Sequence, residues 1–244
     1  MKLLEVENVT QEYEGTRIIE GVSFSVEKGE TVCLIGTSGV GKTTLFQILS
    51  GLNVPVEGRV LLNGENVVGA TGKVSYMLQK DMLLPFKTIE DNVSLPYRIK
   101  GMPRKSAREK VSPYFGQFGI EGTQKKYPGQ LSGGMRQRAA FMRTYFFGHE
   151  LMLLDEPFSA LDEITKQEMY AWYVKISKEL SLTTLFISHS LEEALTLSDR
   201  ILVMGGKPGV IKEEIVVERG SEEDFTTTQR FTEYKKRLKS LLLQ

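Results

Sequence analysis

Residues 31–44 read TVCLIGTSGVGKTT, and this stretch decides the fold. A continuous run of β-favouring apolar residues, 31–35, leads straight into glycines at 36, 39 and 41 and then into Lys42 and Thr43. Positions 36–43 match G-x-x-x-x-G-K-[ST] at each fixed position. The glycines let consecutive backbone N–H groups converge on phosphate oxygens, Lys42 reaches the β- and γ-phosphates, and the Thr43 hydroxyl ligates Mg²⁺. A chance glycine loop lacks the flanking context that this chemistry needs. Here a buried strand precedes the loop, and a helix follows it with Leu45, Ile48, Leu49 and Leu52 on one face.

The surroundings alternate between strand and helix signals. Residues 3–9 and 22–29 show the period-two pattern of half-buried strands, and 58–67 read as strand around a turn at Asn63-Gly64. From about 82 to 150 the texture becomes helical, with prolines at 85, 96, 103, 113 and 128, which predicts an inserted helical lobe. Short apolar strands return at 150–156 and 183–189, of the kind found in parallel sheets. Ser190 and Glu193 form a capping box opening a helix, and 199–204 and 209–218 are closing strands. The tail places Phe231, Tyr234, Leu238 and Leu241 at helical spacing, which predicts a docked terminal helix with its lysines in water.

Composition excludes several classes. The chain has 244 residues, 41% of them hydrophobic and 25% charged, as in ordinary globular proteins. Lys plus Arg equals Asp plus Glu at 31 each, so nothing marks a nucleic-acid partner. The single Cys33 lies in the apolar strand and reads as a buried thiol in a reducing compartment. No apolar stretch approaches the roughly 20 residues that span a bilayer, and residues 1–9 are too acidic for a signal peptide. The expected location is the cytoplasm.

A phosphate loop needs a carboxylate for its metal. Residues 151–156, LMLLDE, bring Asp155 out at the carboxyl end of a buried strand, with Glu156 next as the base that activates water. His189 ends the following strand on the same sheet edge and is read as a γ-phosphate contact, while His149, in a polar loop, is read as structural. One stretch is left over. Residues 131–138, LSGGMRQR, place Ser132, Gly133 and Gly134 at a helix N-terminus, where bare amides and the helix dipole favour an anion. This is a second cradle in one chain. Arg136 and Arg138 could equally be a plain solvated helix face and are assigned no direct ATP role, and Met135, Ala139, Met142 and Phe146 read as core.

The set resembles the nucleotide-binding subunit of ATP-binding cassette (ABC) transporters, over nearly the whole chain from about Leu3 to Val217. GTSGVGKTT resembles the Walker A motif, LSGGMRQR the signature, LMLLDEP Walker B and SALD, ending at Asp162, the D-loop. Gln79 matches the Q-loop glutamine, His189 the switch histidine and Tyr13 the aromatic that stacks on adenine. The resemblance implies an α/β P-loop NTPase with a RecA-like core, an antiparallel β subdomain and a helical subdomain inserted at about 82–150. The ATPase domain would cover 1–219 and a helical tail 220–244. ATP would be held by Tyr13, by Gly36, Thr37, Ser38, Gly39, Val40, Gly41, Lys42, Thr43 and Thr44, by Gln79, and by Ser132, Gly133, Gly134 and Asp162. Mg²⁺ would be held by Thr43, Gln79 and Asp155. Glu156 and His189 would be catalytic.

In that family two subunits pack head to tail, each signature closing on the partner's nucleotide, so the resemblance implies a homodimer in the ATP-bound state. It further implies integral-membrane permease subunits, an indirectly engaged solute-binding protein and a peripheral place on the inner face of the membrane. The methionine at 135, with PFSALDEITK and the following TTLFISHSLEEALTLSDRILVM, resembles the nitrate, sulfonate and taurine importer branch. Residues 142–150, MRTYFFGHE, depart from the usual alanine-rich link to Walker B without touching the expected chemistry. Met82, Leu83, Leu84 and Phe86 fit the groove for the permease's coupling helix, and core packing accounts equally well for half of them. An exporter subunit and a non-transport ABC ATPase are the alternatives. A P-loop kinase or GTPase would leave the signature and D-loop without a role.

Overall fold

The computed structural model describes residues 1–219 and 225–243. Strands β1 (Lys2–Tyr13) and β2 (Thr16–Glu27) form an antiparallel hairpin around Glu14 and Gly15, both left-handed. β3 (Thr31–Gly36) follows and leads through the glycine loop to α1 (Lys42–Leu49). β4 (Glu57–Leu62) and β5 (Glu65–Asn66) pair across the Asn63-Gly64 turn, at φ +51° and +79°, and the short β6 (Ser75–Met77) comes next. Between β6 and the next strand run α2 (Ile89–Val93), α3 (Leu95–Ile99), α4 (Arg104–Val111) and α5 (Gly133–Tyr145). The chain then alternates through β7 (Leu151–Asp155), α6 (Glu163–Glu179), β8 (Thr183–Ser188), α7 (Leu191–Leu197), β9 (Arg200–Gly205) and β10 (Val210–Val216). It closes with α8 (Gln229–Leu243).

Two sheets result. One is antiparallel, in the order β2-β1-β4-β5; the other has six strands in the order β10-β9-β3-β8-β7-β6. Within the second, β9, β3, β8, β7 and β6 are mutually parallel and only β10 runs against its neighbour. The fold is α/β with a separate antiparallel sheet, as expected.

The apolar run at 31–35 is explained by its place. All six residues of β3 are buried, and successive side chains enter different cores. Val32 and Leu34 join a core with α1 and the antiparallel sheet, through Leu45, Phe46, Val6 and Phe24. Cys33 and Ile35 face a second core that holds Phe186, Tyr173, Phe141 and Phe118. A strand buried on both faces leaves no polar half of an alternation. Each such aliphatic side chain contributes about 1.5–3 kcal/mol by leaving water. The second core runs on into α2 and α5, so the inserted helices and the sheet share one apolar interior.

α8 packs against α7 and β9 through buried Phe231 and Leu238, with Tyr234 and Leu241 beside them and Lys235, Lys236 and Lys239 exposed. The expected start of the tail at 220 lies outside the described residues.

Candidate active site

Parallel pairing puts four strand ends on one edge. β3 ends at Gly36 and opens into the phosphate loop, β7 ends at Asp155 opposite Ile187 of β8, and β8 runs into His189. β6 ends at Met77, paired with Leu154, two residues before Gln79. The carboxyl edge of such a sheet is where ligands bind.

The loop itself is built around absent side chains. A Cβ on Gly36 would sit 2.5 Å from the Met204 carbonyl oxygen, and one on Gly41, at φ +105°, would sit 2.4 Å from Cγ2 of Ile19. Gly41 is the residue before α1, so the loop ends on a helix N-terminus with its free N–H groups and positive dipole end. Lys42 is buried and donates from Nζ to the carbonyls of Gly36 and Thr37 at 2.8 and 3.0 Å. Burial lowers its pKa, against the pull of Glu156 and Asp155. Such a cradle suits an anionic phosphate.

Burial raises the pKa of Asp155 and Glu156 adds to the rise, while the Tyr76 hydroxyl, donating to Oδ2 at 3.4 Å, and the charges of Lys42 and His189 act against it. Glu156 has φ +47°, an uncommon backbone state for a long side chain, of the kind that persists at functional sites. Its carboxylate is gripped on both oxygens. Gln79 Nε2 donates to Oε2 at 2.9 Å, and His189 Nε2 lies 2.5 Å from Oε1. A cavity of about 230 Å³ opens here, lined by Ser38, Gly39, Gly41, Lys42, Thr43, Thr44, Glu156, His189 and Ile18.

Residues of the second cradle do not line that cavity. Ser132 caps α5, its hydroxyl accepting from Met135 N at 3.3 Å, and its side chain is exposed. A Cβ on Gly133 would sit 3.3 Å from Leu161 and one on Gly134 3.0 Å from Thr165, so the signature lies against the D-loop. Asp162 caps α6, accepting from the Thr165 amide and hydroxyl at 3.0 and 2.7 Å. Tyr13 is exposed outside the cavity lining, with its hydroxyl accepting from Asn53 Nδ2 at 2.7 Å. The proposed site residues thus fall into two sets, the strand-edge cluster and the Ser132–Asp162 surface, with Tyr13 in neither.

A family model described as ABC transporter matches residues 19–159. The chain belongs to the ABC transporter family. It is 39% identical to the formylaminopyrimidine import ATP-binding protein of Halalkalibacterium halodurans, over 98% of this chain and 94% of that protein. With the aliphatic sulfonates import ATP-binding protein of Bacillus cereus it shares 35% identity, over 82% of this chain and 78% of that protein. A solved dimeric ATP-binding cassette in a post-hydrolysis state, bound to ADP and Pi, matches with a TM-score of 0.75 at 26% identity. That match covers 88% of this chain and 99% of the other. The chain is therefore a P-loop ATPase of the ABC type.

In this ABC cassette the arginines of α5 are tied into the fold. Arg136 and Arg138 are not a plain solvated face. Arg136 donates to the Leu131 carbonyl at 2.9 Å and lies 3.4 Å from Asp81, and Arg138 stacks over Trp172 at 5.2 Å. In the link at 142–150, Arg143 donates to the carbonyls of Asp81 and Met82, two and three residues past Gln79. Of the four apolar residues after Gln79, Met82 and Phe86 are exposed, Leu83 is buried and Leu84 is half-buried. Met135 is half-buried against the core rather than within it. His149 lines a larger cleft of about 410 Å³ by Tyr97, Tyr114 and Thr183, at the opposite sheet edge from His189. Among the described residues no helix is long and apolar enough to cross a membrane.

Proposed function

We propose that this chain is the ATP-hydrolysing subunit of a membrane importer, acting in pairs beneath separate permease subunits on the inner face of the cell membrane. The division of the site into two halves carries this reading. One half holds the lysine, the base and the histidine. The other offers an anion-binding helix end at Ser132 beside Asp162, and neither residue lines the cavity that holds Lys42, Glu156 and His189. Two copies packed head to tail supply each half with its complement, and each closed pair encloses two nucleotides.

In this reading residues 1–219 are the ATPase domain, with 82–150 as its inserted helical lobe and the tail from 220 appended. The phosphate-loop amides and Lys42 orient the nucleotide, Tyr13 stacks on the adenine, and His189 contacts the γ-phosphate. Glu156 accepts the proton of the attacking water. Thr43 offers a hydroxyl, Asp155 a carboxylate and Gln79 an amide oxygen, all hard oxygen donors. So small a donor set suits Mg²⁺, which keeps waters and substrate phosphates in its shell. When bound, that ion would neutralise charge on the β- and γ-phosphates. The relatives' import roles support the importer direction over an exporter or a non-transport ATPase. Exposed Met82 and Phe86 offer the permease an apolar seat. The solute is chosen by a binding protein and the permease, which this chain serves without touching it.

Glu156→Gln tests the reading, because it removes the base and leaves the phosphate contacts. It should bind ATP, turn over at a small fraction of the wild-type rate and accumulate as an ATP-dependent dimer on size exclusion. A strict monomer that binds ATP normally would contradict the paired mechanism.

A further inference from the structure

Arg143 stands in the last turn of α5, the helix that Ser132 opens. Burial lowers the pKa of its guanidinium, opposed only by the charge of Asp81. Among the described residues, its hydrogen-bond partners are backbone carbonyls. Nη1 donates to the carbonyl oxygen of Met82 at 2.7 Å and Nη2 to that of Asp81 at 2.5 Å. A partly desolvated charge spent on two successive backbone carbonyls is a built contact, since it persists only where its donors are satisfied.

The turn it grips is under constraint from every side. Met82 has φ +47°, which is costly for an unbranched long side chain. The Asp81 carboxylate accepts from Leu83 N at 3.0 Å and lies 3.4 Å from Nε of Arg136, one more arginine of α5. Fully buried Asn92 holds the far end, accepting from Leu84 N at 2.7 Å and donating to the carbonyls of Leu84, Lys87 and Thr88. Gln137, also on α5, donates to the Pro157 carbonyl, next to Glu156. Two residues before Asp81 is Gln79, exposed, with its amide 2.9 Å from Glu156.

We propose that Arg143 is a positioning residue for Gln79. It fixes the Asp81-Met82 turn and thereby the approach of the Gln79 amide to Glu156, so that the helix carrying the signature and the hydrolytic carboxylate are tied through one loop. This rests on the reading of Glu156 as the base. Lysine cannot replace it fully, because a single ammonium lacks the planar fork that meets two carbonyls at once.

Two measurements on the full chain test this. In the first, nucleotide-free protein is treated with trypsin under native conditions, and cleavage after the exposed Lys80 is followed. Arg143→Met should accelerate that cut about tenfold by releasing the turn, with cleavage elsewhere unchanged. Unchanged protection at Lys80 would overturn the proposal. The second is a kinetic double-mutant cycle with Gln79→Ala. Arg143→Met should lower kcat about tenfold with the KM for ATP nearly unchanged, and Arg143→Lys should recover part of the loss. In the Gln79→Ala background the same substitutions should change kcat less than about twofold. Equal losses in both backgrounds would show that Arg143 acts through the core, and would overturn the proposal. Full kcat in Gln79→Ala would overturn it too; faster cutting at Lys80 would then place the failure in the role of Gln79, not in the turn. Should Arg143→Met not fold, Arg143→Lys carries both measurements, with smaller effects in the same directions.

Discussion

His189 Nε2 lies 2.5 Å from Oε1 of Glu156. The two residues are 33 apart in sequence and meet because β7 and β8 are parallel neighbours that end at the same edge, Asp155 opposite Ile187. The histidine therefore holds the carboxylate of the proposed base, and the γ-phosphate contact proposed for it would start from there. His189→Ala should leave ATP binding near wild type and lower kcat about a hundredfold, the loss typical of one positioned catalytic group. Binding isotherms set beside steady-state rates separate the two effects. A variant that keeps its kcat would leave the histidine a structural strand cap.

Tyr13 tests the adenine contact separately from the phosphate contacts. Its ring is exposed and its hydroxyl is held by Asn53 at 2.7 Å, so the ring face has no burial role to lose. Tyr13→Ala should weaken ATP binding by about 1–3 kcal/mol, the scale of base–aromatic stacking, with Tyr13→Phe close to wild type. Both variants should keep the wild-type melting temperature. Unaltered nucleotide affinity in Tyr13→Ala would mark the residue as a strand end only.

Glu193 gives the fold a pH dependence of its own. It is 4% exposed, Oε1 has no hydrogen-bond partner among the described residues, and Oε2 lies 3.5 Å from the Tyr170 hydroxyl. Burial pushes its carboxyl up to about 7, against the lowering effects of Ser188, Lys166 and Tyr170. The native state then holds a proton that the unfolded chain has lost. Stability is full below the ordinary glutamate range and falls as pH rises from about 4.5 through 7. The total change is about 3 kcal/mol. Glu193→Gln should flatten this slope, read as melting temperature between pH 5 and pH 8. An unchanged slope would place the pH dependence elsewhere.

What was legible in the sequence followed rules that act over a few residues. The phosphate loop, the buried β3, the Asn63-Gly64 turn and the strand-end acids each declare themselves locally, and parallel pairing then aligns Asp155, His189 and Gln79. The capping box shows where local reading stops. Ser190 does cap the Glu193 amide, but the Ser190 N–H goes to Ser188 Oγ at 2.9 Å, and Glu193 turns inward instead of reciprocating. Arg143 was invisible because its partners are 61 and 62 residues away and are backbone carbonyls, which any sequence supplies. β6 has only three residues, too short for an alternation to register. In α6 the buried face is made of Met169, Tyr170, Tyr173 and Ile176, of which the two tyrosines and the isoleucine favour a helix less than leucine does.

The central claim is that the cradle at Ser132 serves the nucleotide of a second copy. Lys42→Ala spoils the phosphate loop, and Ser132→Arg fills the signature with bulk. In either homodimer every composite site contains one damaged half. In a mixed dimer one site joins both damaged halves and the other joins two intact ones. The direct measurement is ATP-dependent crosslinking between differently tagged chains of the two folded variants, each alone and mixed. Mixing should restore the crosslinked dimer that neither variant forms alone. No gain on mixing would contradict the account and assign both cradles to a single chain.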